Sequence, residues 1–268
     1  MAGKAKKPAI RKSAGAAENQ SASSSSNSET IAEKTRQTKT YIFFWAGPLS
    51  KWCKGHTYSG TRALELAIDK LDEINVDHPP KSAFSSRLPA LHSFNCGEQW
   101  LMAMKDWLFE RDVDLPEEAL TDEDFESRSA QMLGPQPPPK DQPAMLQLYL
   151  STLCSVLRTT SPKEQKALGR KCRNFDPTTW EAASIPVVVA CSVARAEADS
   201  VLKQIYKAGK RTFVEGSPND NIWGVGIHWT HPSINDPKNW RGANRLGVCH
   251  GLARNIILEN FGNEFVAL

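Results

Sequence analysis

Residues 97–105 read GEQWLMAMK, and the fold prediction starts from this stretch. Apolar side chains recur there at helical spacing, which predicts an α-helix over about residues 97–109. Glu98 and Lys105 are seven residues apart, so both lie on one helix face, about 10.5 Å apart along the axis. The residues between them on that face are apolar. Such a pair is a candidate site with shifted pKa values, although a solvated pair bordering the core is the commoner arrangement.

The flanking sequence predicts many helices and few strands. The expected strands cover residues 41–45 and 212–215, and the expected helices cover 61–75, 97–109, 144–157, segments starting at Ser161 and Asp176, a segment ending near Ala208, and 243–258. The β-branched run after Pro186 also suits a strand, but the Ala- and Glu-rich stretch after it favours a helix. No internal repeat and no regular β-α alternation occurs. We therefore predict a compact, single-domain α+β fold in which helices predominate.

An N-terminal arm, residues 1–38, is predicted to be disordered, because it is rich in Lys, Ala and Ser and has no aromatic residue. Residues 1–40 hold eight Lys/Arg against three Glu, a net charge of +5, whereas residues 41–268 hold 25 basic against 27 acidic residues, a net charge of −2. The folded domain, residues 39–268, is thus close to neutral. A neutral domain is a poor candidate for an extended surface that binds duplex nucleic acid.

Composition excludes several classes of protein. The chain has 268 residues, 40% hydrophobic and 24% charged, and we find neither an apolar run long enough for a membrane span nor a secretory signal. These features favour a cytoplasmic location. Three interpretations of the basic cluster at residues 4–12 stay open: nuclear import, contact with nucleic acid, and no specific role. The six cysteines are predicted to be reduced thiols, and because neither they nor the six histidines have zinc-site spacing, we predict no metal. The sequence has no Walker loop and no dinucleotide fingerprint, and we predict no cofactor.

The loop at residues 215–226 reads EGSPNDNIWGVG and is a second candidate site. Gly224 allows close backbone approach, Trp223 offers a flat face for a planar base, and Asp220 supplies a carboxylate. An ordinary turn with a core tryptophan is an equally good interpretation. Residues 240–247 lead into a helix whose first turn can present N–H groups to a phosphate or ribose.

Together these blocks resemble, in order, the NADAR or YbiA-like N-glycosidases. The matching blocks are residues 44–52 (FWAGPLSKW), 98–105 (EQWLMAMK) through Phe109, 166–170 (KALGR) with Phe175, Asp176 and Trp180, 214–215 with 220–226 (DNIWGVG), and 242–247 (GANRLG) with Arg254. The resemblance implies a mainly helical α+β fold. It also implies that the stretches near residues 55–90 and 110–145 are insertions. The second stretch holds ten acidic residues and five prolines over residues 110–142, so we expect it at the surface and outside the core.

The resemblance also implies roles for particular residues. Glu98 corresponds to the catalytic glutamate, Lys105 to a lysine proposed to capture the sugar as a Schiff base, and Asp220 to a further catalytic group. Substrate-binding roles fall on Trp52, Arg170, Trp223, Gly224 and Asn244. Lys51 departs from the pattern, since an Asn or Gln usually follows the serine there, and we expect recognition of sugar hydroxyls at that edge to differ.

The resulting hypothesis is an N-glycosidase acting on a phosphoribosyl or ADP-ribosyl conjugate, such as a riboflavin-pathway intermediate or ADP-ribosylated guanine. Its expected partners are that small-molecule substrate and, through the basic arm, ADP-ribosylated nucleic acid. A carboxylate beside C1 suits this reaction because positive charge develops on the sugar as the bond breaks. Two alternatives stay open: a non-catalytic module that binds ADP-ribose or NAD, and a scaffold that uses the acidic, proline-rich segment.

Overall fold

A computed structural model describes residues 35–112 and 121–262, and within them the chain is mainly helical. The strands are β1 (Thr35–Gln37), β2 (Tyr41–Phe44), β3 (Tyr58–Ser59), β4 (Ser93–Phe94) and β5 (Thr212–Glu215). The helices are α1 (Gly60–Glu73), α2 (Phe84–Leu91), α3 (Gly97–Phe109), α4 (Asp122–Leu133), α5 (Pro143–Tyr149), α6 (Thr152–Arg158), α7 (Pro162–Gly169), α8 (Pro177–Ala198), α9 (Ser200–Lys207) and α10 (Arg245–Gly262). Short 3₁₀ turns occupy Pro232–Asn235 and Pro237–Asn239. This architecture confirms the predicted α+β class with helices dominant.

A three-stranded sheet has the order β1-β2-β5. β1 runs antiparallel to β2, and β2 runs parallel to β5, with Phe44 opposite Glu215 at their carboxyl ends. Because parallel strands end at the same edge, the loops after β2 and β5 emerge side by side there. This edge positions the candidate site described below.

The core is organised around α8, which packs against α1, α3 and α10. Its sequence is apolar on most faces, and residues 187–194 are all buried, as expected for a helix enclosed by others. The indole N–H of Trp100, also fully buried, donates to the Val187 carbonyl at 2.8 Å. That bond satisfies the polar atom of a large core side chain and fixes α3 against α8.

Several predicted elements agree closely with the observed ones. The helix predicted over residues 97–109 is α3, and the helix predicted over residues 61–75 is α1. The run after Pro186 is helical, as we expected. The helix predicted over residues 144–157 is instead two helices, because the Ser151 side chain accepts a hydrogen bond from the Cys154 N–H at 3.2 Å and caps a new start. In the part of the chain that the structure describes, no helix combines the length and apolarity needed to cross a bilayer.

Two boundaries differ from the sequence prediction. Residues 35–37 were assigned to the arm, yet they form β1; the arm's first 34 residues lie outside the described residues. The segment 110–142 was expected to stay out of the core, but Phe125 and Met132 of α4 are buried in it. They stand seven residues apart, so two apolar residues on one face are enough to anchor this acidic helix. Residues 113–120 are outside the described part.

Candidate active site

A cavity of about 440 Å³ opens at the sheet edge where β2 and β5 end, beside the N-terminus of α3. Its lining side chains come from four segments: Trp45, Ala46, Ser50, Lys51 and Trp52 after β2, Glu98 of α3, Lys166 of α7, and Glu215, Ser217, Asn219 and Asp220 at the end of β5 and after it. Another cavity, of about 410 Å³, lies between α1, α2 and α4, but its carboxylates are exposed to solvent. We assign the site to the first cavity because it contains a buried carboxylate, Glu98, and a buried amine, Lys51.

Residues 48–51 form a loop in which every backbone carbonyl is hydrogen-bonded. Arg195 donates to the carbonyls of Pro48 (2.9 Å) and Ser50 (3.2 Å), and the His250 ring nitrogen Nε2 lies 2.7 Å from the Leu49 carbonyl. The Lys51 carbonyl accepts the Glu98 N–H at 3.0 Å. Because α8, α10 and α3 supply these donors, the Lys51 side chain projects from a backbone that the core fixes.

Glu98 lies in the first turn of α3 and is only 2% exposed. Its carboxylate accepts a hydrogen bond from the Trp52 indole N–H at 3.2 Å. The first-turn position also places the carboxylate near the positive end of the helix dipole. Glu98 and Lys51 are therefore linked twice, through their backbones and through Trp52, the residue after Lys51.

Glu215 ends β5 and is positioned by Asn244. The Asn244 side chain accepts the Glu215 N–H at 3.0 Å and donates to the Phe213 carbonyl at 2.9 Å. Asn244 has a φ of 51°, a left-handed conformation that asparagine tolerates better than most residues. The Oε2 atom of Glu215 is buried and has no hydrogen-bond partner among the described residues. One buried oxygen of this carboxylate thus has unused hydrogen-bonding capacity.

Asp220 organises the loop after β5. Its Oδ1 accepts hydrogen bonds from the N–H groups of Ile222 (3.0 Å) and Trp223 (2.8 Å). This turn brings the Trp223 ring beneath the Lys51 amine, which lies 3.8 Å from the ring centroid. A cation over an indole face is an attractive arrangement, and it holds the amine within the cavity wall.

Burial changes the proton affinity of two groups here. Desolvation lowers the pKa of Lys51, and the charges of Glu98, Glu215 and Asp220 oppose that shift. Desolvation raises the pKa of Glu215 to about 7; the carboxylates of Asp220 and Glu98 add to this rise, and Lys51 opposes it. Near neutral pH the site therefore offers a half-protonated carboxyl beside an amine that is easier to deprotonate than usual.

The NADAR domain model matches residues 70–257, more than two thirds of the sequence. The chain belongs to the NADAR domain family. The match includes Glu98, Glu215 and Asp220, whereas Lys51 and Trp52 precede it.

Two curated proteins match over shorter stretches. N-glycosidase R617 of Acanthamoeba polyphaga mimivirus is 37% identical over 84 residues, which is 31% of this chain and 49% of that protein. Protein irg-1 of Caenorhabditis elegans is 32% identical over 95 residues, 34% of this chain and 45% of that protein. The chain thus matches about half the length of each of these relatives.

Within this NADAR protein, six of the eight predicted site residues line the cavity or lie in its wall. Glu98, Trp52 and Asp220 line the cavity. Trp223 contacts the cavity through Lys51, and Asn244 and Gly224 shape its wall: the Gly224 carbonyl accepts the Asn244 N–H at 3.1 Å. A Cβ on Gly224 would lie 2.9 Å from the Glu215 carbonyl oxygen, which explains why the loop has glycine there.

Lys105 and Arg170 are placed outside the cavity, which corrects the expected convergence of Lys105 with Glu98. The Lys105 amine donates to the Gly169 carbonyl at 2.8 Å and lies 4.0 Å from the Phe175 ring centroid. A carbonyl at the end of α7 attracts a cation, so this amine is engaged about two turns away from Glu98. Arg170 is exposed just after α7.

Eight of the lining residues were not among the predicted site residues, and three of the eight are ionisable: Lys51, Lys166 and Glu215. Lys51 had been noted only as a departure from the family pattern, and Glu215 only as part of the candidate loop and of a block that matches the family, without a role of its own. The departure was the usable signal for Lys51, because a lysine in place of an amide brings new chemistry. Lys166 begins the matching block at residues 166–170, but helical spacing alone does not distinguish it from other helix-surface lysines.

Proposed function

We propose that this NADAR protein is an N-glycosidase that hydrolyses the bond between a base and the C1 of a phosphoribosyl or ADP-ribosyl group. The observation that carries the proposal is the desolvated trio of Glu98, Lys51 and Glu215 around one cavity. The mimiviral relative is named an N-glycosidase, which supports the same reaction class.

Bond cleavage places positive charge on the sugar, and Glu98 is suited to stabilise it. Its carboxylate is buried and oriented by Trp52, so it needs little reorganisation when charge develops. The departing base gains electrons and needs a proton. Glu215 holds one in about half of the molecules near neutral pH, and its unpartnered Oε2 can deliver it.

Lys51 is the amine that we assign to covalent capture of the sugar. Its neutral amine forms a bond to C1 as the bond to the base breaks; the base leaves with the proton of Glu215, and the surplus proton of the amine passes to Glu98. The sugar ring then opens to give an imine. Water hydrolyses the imine, which releases the sugar and restores the amine. Lys105 is replaced in this role because its amine is held at the Gly169 carbonyl.

Substrate recognition is assigned to the rim of the cavity. Trp45 and Trp52 are both about half exposed there, so each presents indole surface to a planar base. Lys166 lies 5.9 Å from the Trp52 ring centroid and supplies a cation for a phosphate of the substrate. Indole surface for a base and a cation for a phosphate suit both the phosphoribosyl and the ADP-ribosyl substrate.

The experiment that tests this function incubates the full chain with three substrate classes and measures the released base and sugar. The classes are ribosylamino-pyrimidines, NAD and DNA carrying ADP-ribosylated guanine. We expect hydrolysis of at least one, and a loss of about 10²- to 10⁴-fold in Glu98→Gln with ligand binding retained. Binding without release of a base would instead indicate an ADP-ribose-binding module.

Borohydride trapping tests the lysine assignment. We expect the wild type to be labelled on Lys51 during turnover, and Lys51→Ala to lose the label. Lys54→Ala is the matched control, since this neighbouring lysine is exposed and does not line the cavity. Labelling that survives in Lys51→Ala but disappears in Lys105→Ala would return the role to Lys105.

A further inference from the structure

A second cluster of reactive side chains lies at the other end of α3. Asp106 lies in the last turn of that helix, Glu110 is the residue immediately after its end, and Cys172 is in the segment after α7. One ligand atom from each lies within 4.8 Å of the other two. None of the three residues lines the cavity around Glu98, and Asp106 is about 12 Å from Glu98 along the helix axis.

Asp106 is a buried carboxylate that lacks the usual hydrogen-bond donors. The residue is 1% exposed, and neither carboxylate oxygen receives a hydrogen bond from a nitrogen or oxygen donor in the described residues. Buried carboxylates nearly always have such donors, so an orphaned pair of oxygens calls for a missing ion or water. The Cys172 sulfur and a Glu110 carboxylate oxygen are among the polar atoms near this carboxylate, each within 4.8 Å of one of its oxygens.

Glu110 has both a fixed orientation and spare capacity. Its Oε1 accepts from the Thr152 hydroxyl (2.8 Å) and the Arg173 N–H (3.0 Å), and its Oε2 accepts from the Thr152 N–H (3.1 Å). A carboxylate offers about four acceptor positions, so one on Oε2 remains available. Bonds of this kind orient metal ligands in known sites. The Arg173 side chain, 3.6 Å from Oε1, adds positive charge that offsets an excess of anionic ligands.

We propose that Asp106, Glu110 and Cys172 bind one divalent transition-metal ion of the zinc type. A thiolate with two carboxylates favours zinc, cobalt or iron over magnesium and calcium, which prefer oxygen ligands alone. Zinc bonds of about 2.0–2.3 Å require ligand atoms roughly 3.5 Å apart, so the three atoms need to approach one another by about 1 Å. Cys172 is partly exposed, which leaves a route for the ion and for a water as fourth ligand.

The bound ion would have a structural effect. It would join the C-terminal end of α3 to the segment after α7. Glu98 lies on α3 and Lys166 lies on α7, so the ion would connect the two helices that carry these lining residues. The ion stays outside the cavity, so this inference does not depend on the proposed reaction.

Cobalt binding tests the site directly. The full chain, stripped with a chelator, is titrated with Co²⁺ and followed by absorption. We expect one Co²⁺ per chain, a near-ultraviolet sulfur-to-cobalt band, and displacement by Zn²⁺. Cys172→Ser should lose the band, and Asp106→Asn should weaken binding at least tenfold. Cys53→Ser, which alters another partly exposed cysteine, should keep both.

Thermal unfolding gives an independent readout. Zn²⁺ should raise the Tm of the wild type and leave that of Asp106→Asn unchanged, because only the metal-binding form gains stability from the ion. The proposal is overturned if the wild type binds neither ion, or if the sulfur-to-cobalt band persists in Cys172→Ser. The first result would leave Asp106 as a buried acid that desolvation keeps neutral, because burial raises its pKa well above the usual value.

Discussion

Glu215 is expected to set the alkaline limb of the pH dependence of base release. Burial raises its pKa to about 7, and the proposed reaction uses the protonated form. Above that pKa the protonated fraction falls tenfold per pH unit, so two units higher only about 1% of the enzyme is active and the rate is about 100-fold lower. Glu215→Gln should remove this limb and lower the maximal rate by about 10²- to 10⁴-fold.

Asp220→Asn shifts the same limb without removing the acid. An asparagine side chain keeps the oxygen that accepts the N–H groups of Ile222 and Trp223, so the loop should stay folded. It loses the negative charge that raises the pKa of Glu215. The limb should therefore move to lower pH, by about half to one unit, equivalent to about 1 kcal/mol.

The assay is the initial rate of base release at saturating substrate, measured across the pH range with circular dichroism at each pH to confirm folding. Glu164→Gln is the matched control, because this carboxylate is exposed on α7 and does not line the cavity. A limb that persists in Glu215→Gln, or that moves upward in Asp220→Asn, would refute the assignment of Glu215 as the proton donor.

Two predictions concern stability. Asn244→Ala removes two side-chain hydrogen bonds and leaves the Glu215 N–H and Phe213 carbonyl unpaired, so denaturant unfolding should show a loss of about 2–5 kcal/mol; a loss below about 1 kcal/mol would contradict the role of Asn244. Burial lowers the pKa of His250 to about 3, against about 6.5 when unfolded, so the unfolded chain takes up the proton first and stability falls as the pH drops from about 6.5 towards 3. Between pH 7 and 5, urea unfolding of the wild type should lose about 2 kcal/mol more than that of His250→Gln, and equal losses would contradict this.

Local sequence was sufficient for the helices with a clear apolar face. α1 and α3 carry apolar residues at helical spacing, so their predicted and observed positions agree within one or two residues. β1 was not predictable in this way. Its residues, 35–37, have an arm-like composition and become a strand only through pairing with β2, with Thr35 opposite Phe44. Such pairing depends on tertiary structure, which composition does not encode.

In the candidate site, too, local sequence was sufficient for some residues, whereas others depend on tertiary contacts. Helical periodicity marked Glu98, and turn chemistry marked Asp220 with Trp223. Periodicity also suggested Lys105, but spacing fixes only the face of a helix and not the acceptor that a long side chain finds. In the structure, the Lys105 amine donates a hydrogen bond to the Gly169 carbonyl at the end of another helix. Lys51 could not be placed from sequence, because Arg195 and His250, which fix its loop, are more than 140 residues away.

That loop explains how a change at position 51 can alter chemistry without altering the fold. Every hydrogen bond that holds residues 48–51 by their carbonyls involves the backbone, and none involves the Lys51 side chain. An amide or an amine at position 51 therefore enters the cavity from the same place. With Glu98, Glu215 and Asp220 around it, an amine gains charge stabilisation, while burial lowers its pKa. Under the proposed function, an amide at this position would only bind the sugar, whereas an amine can also form a bond to its C1.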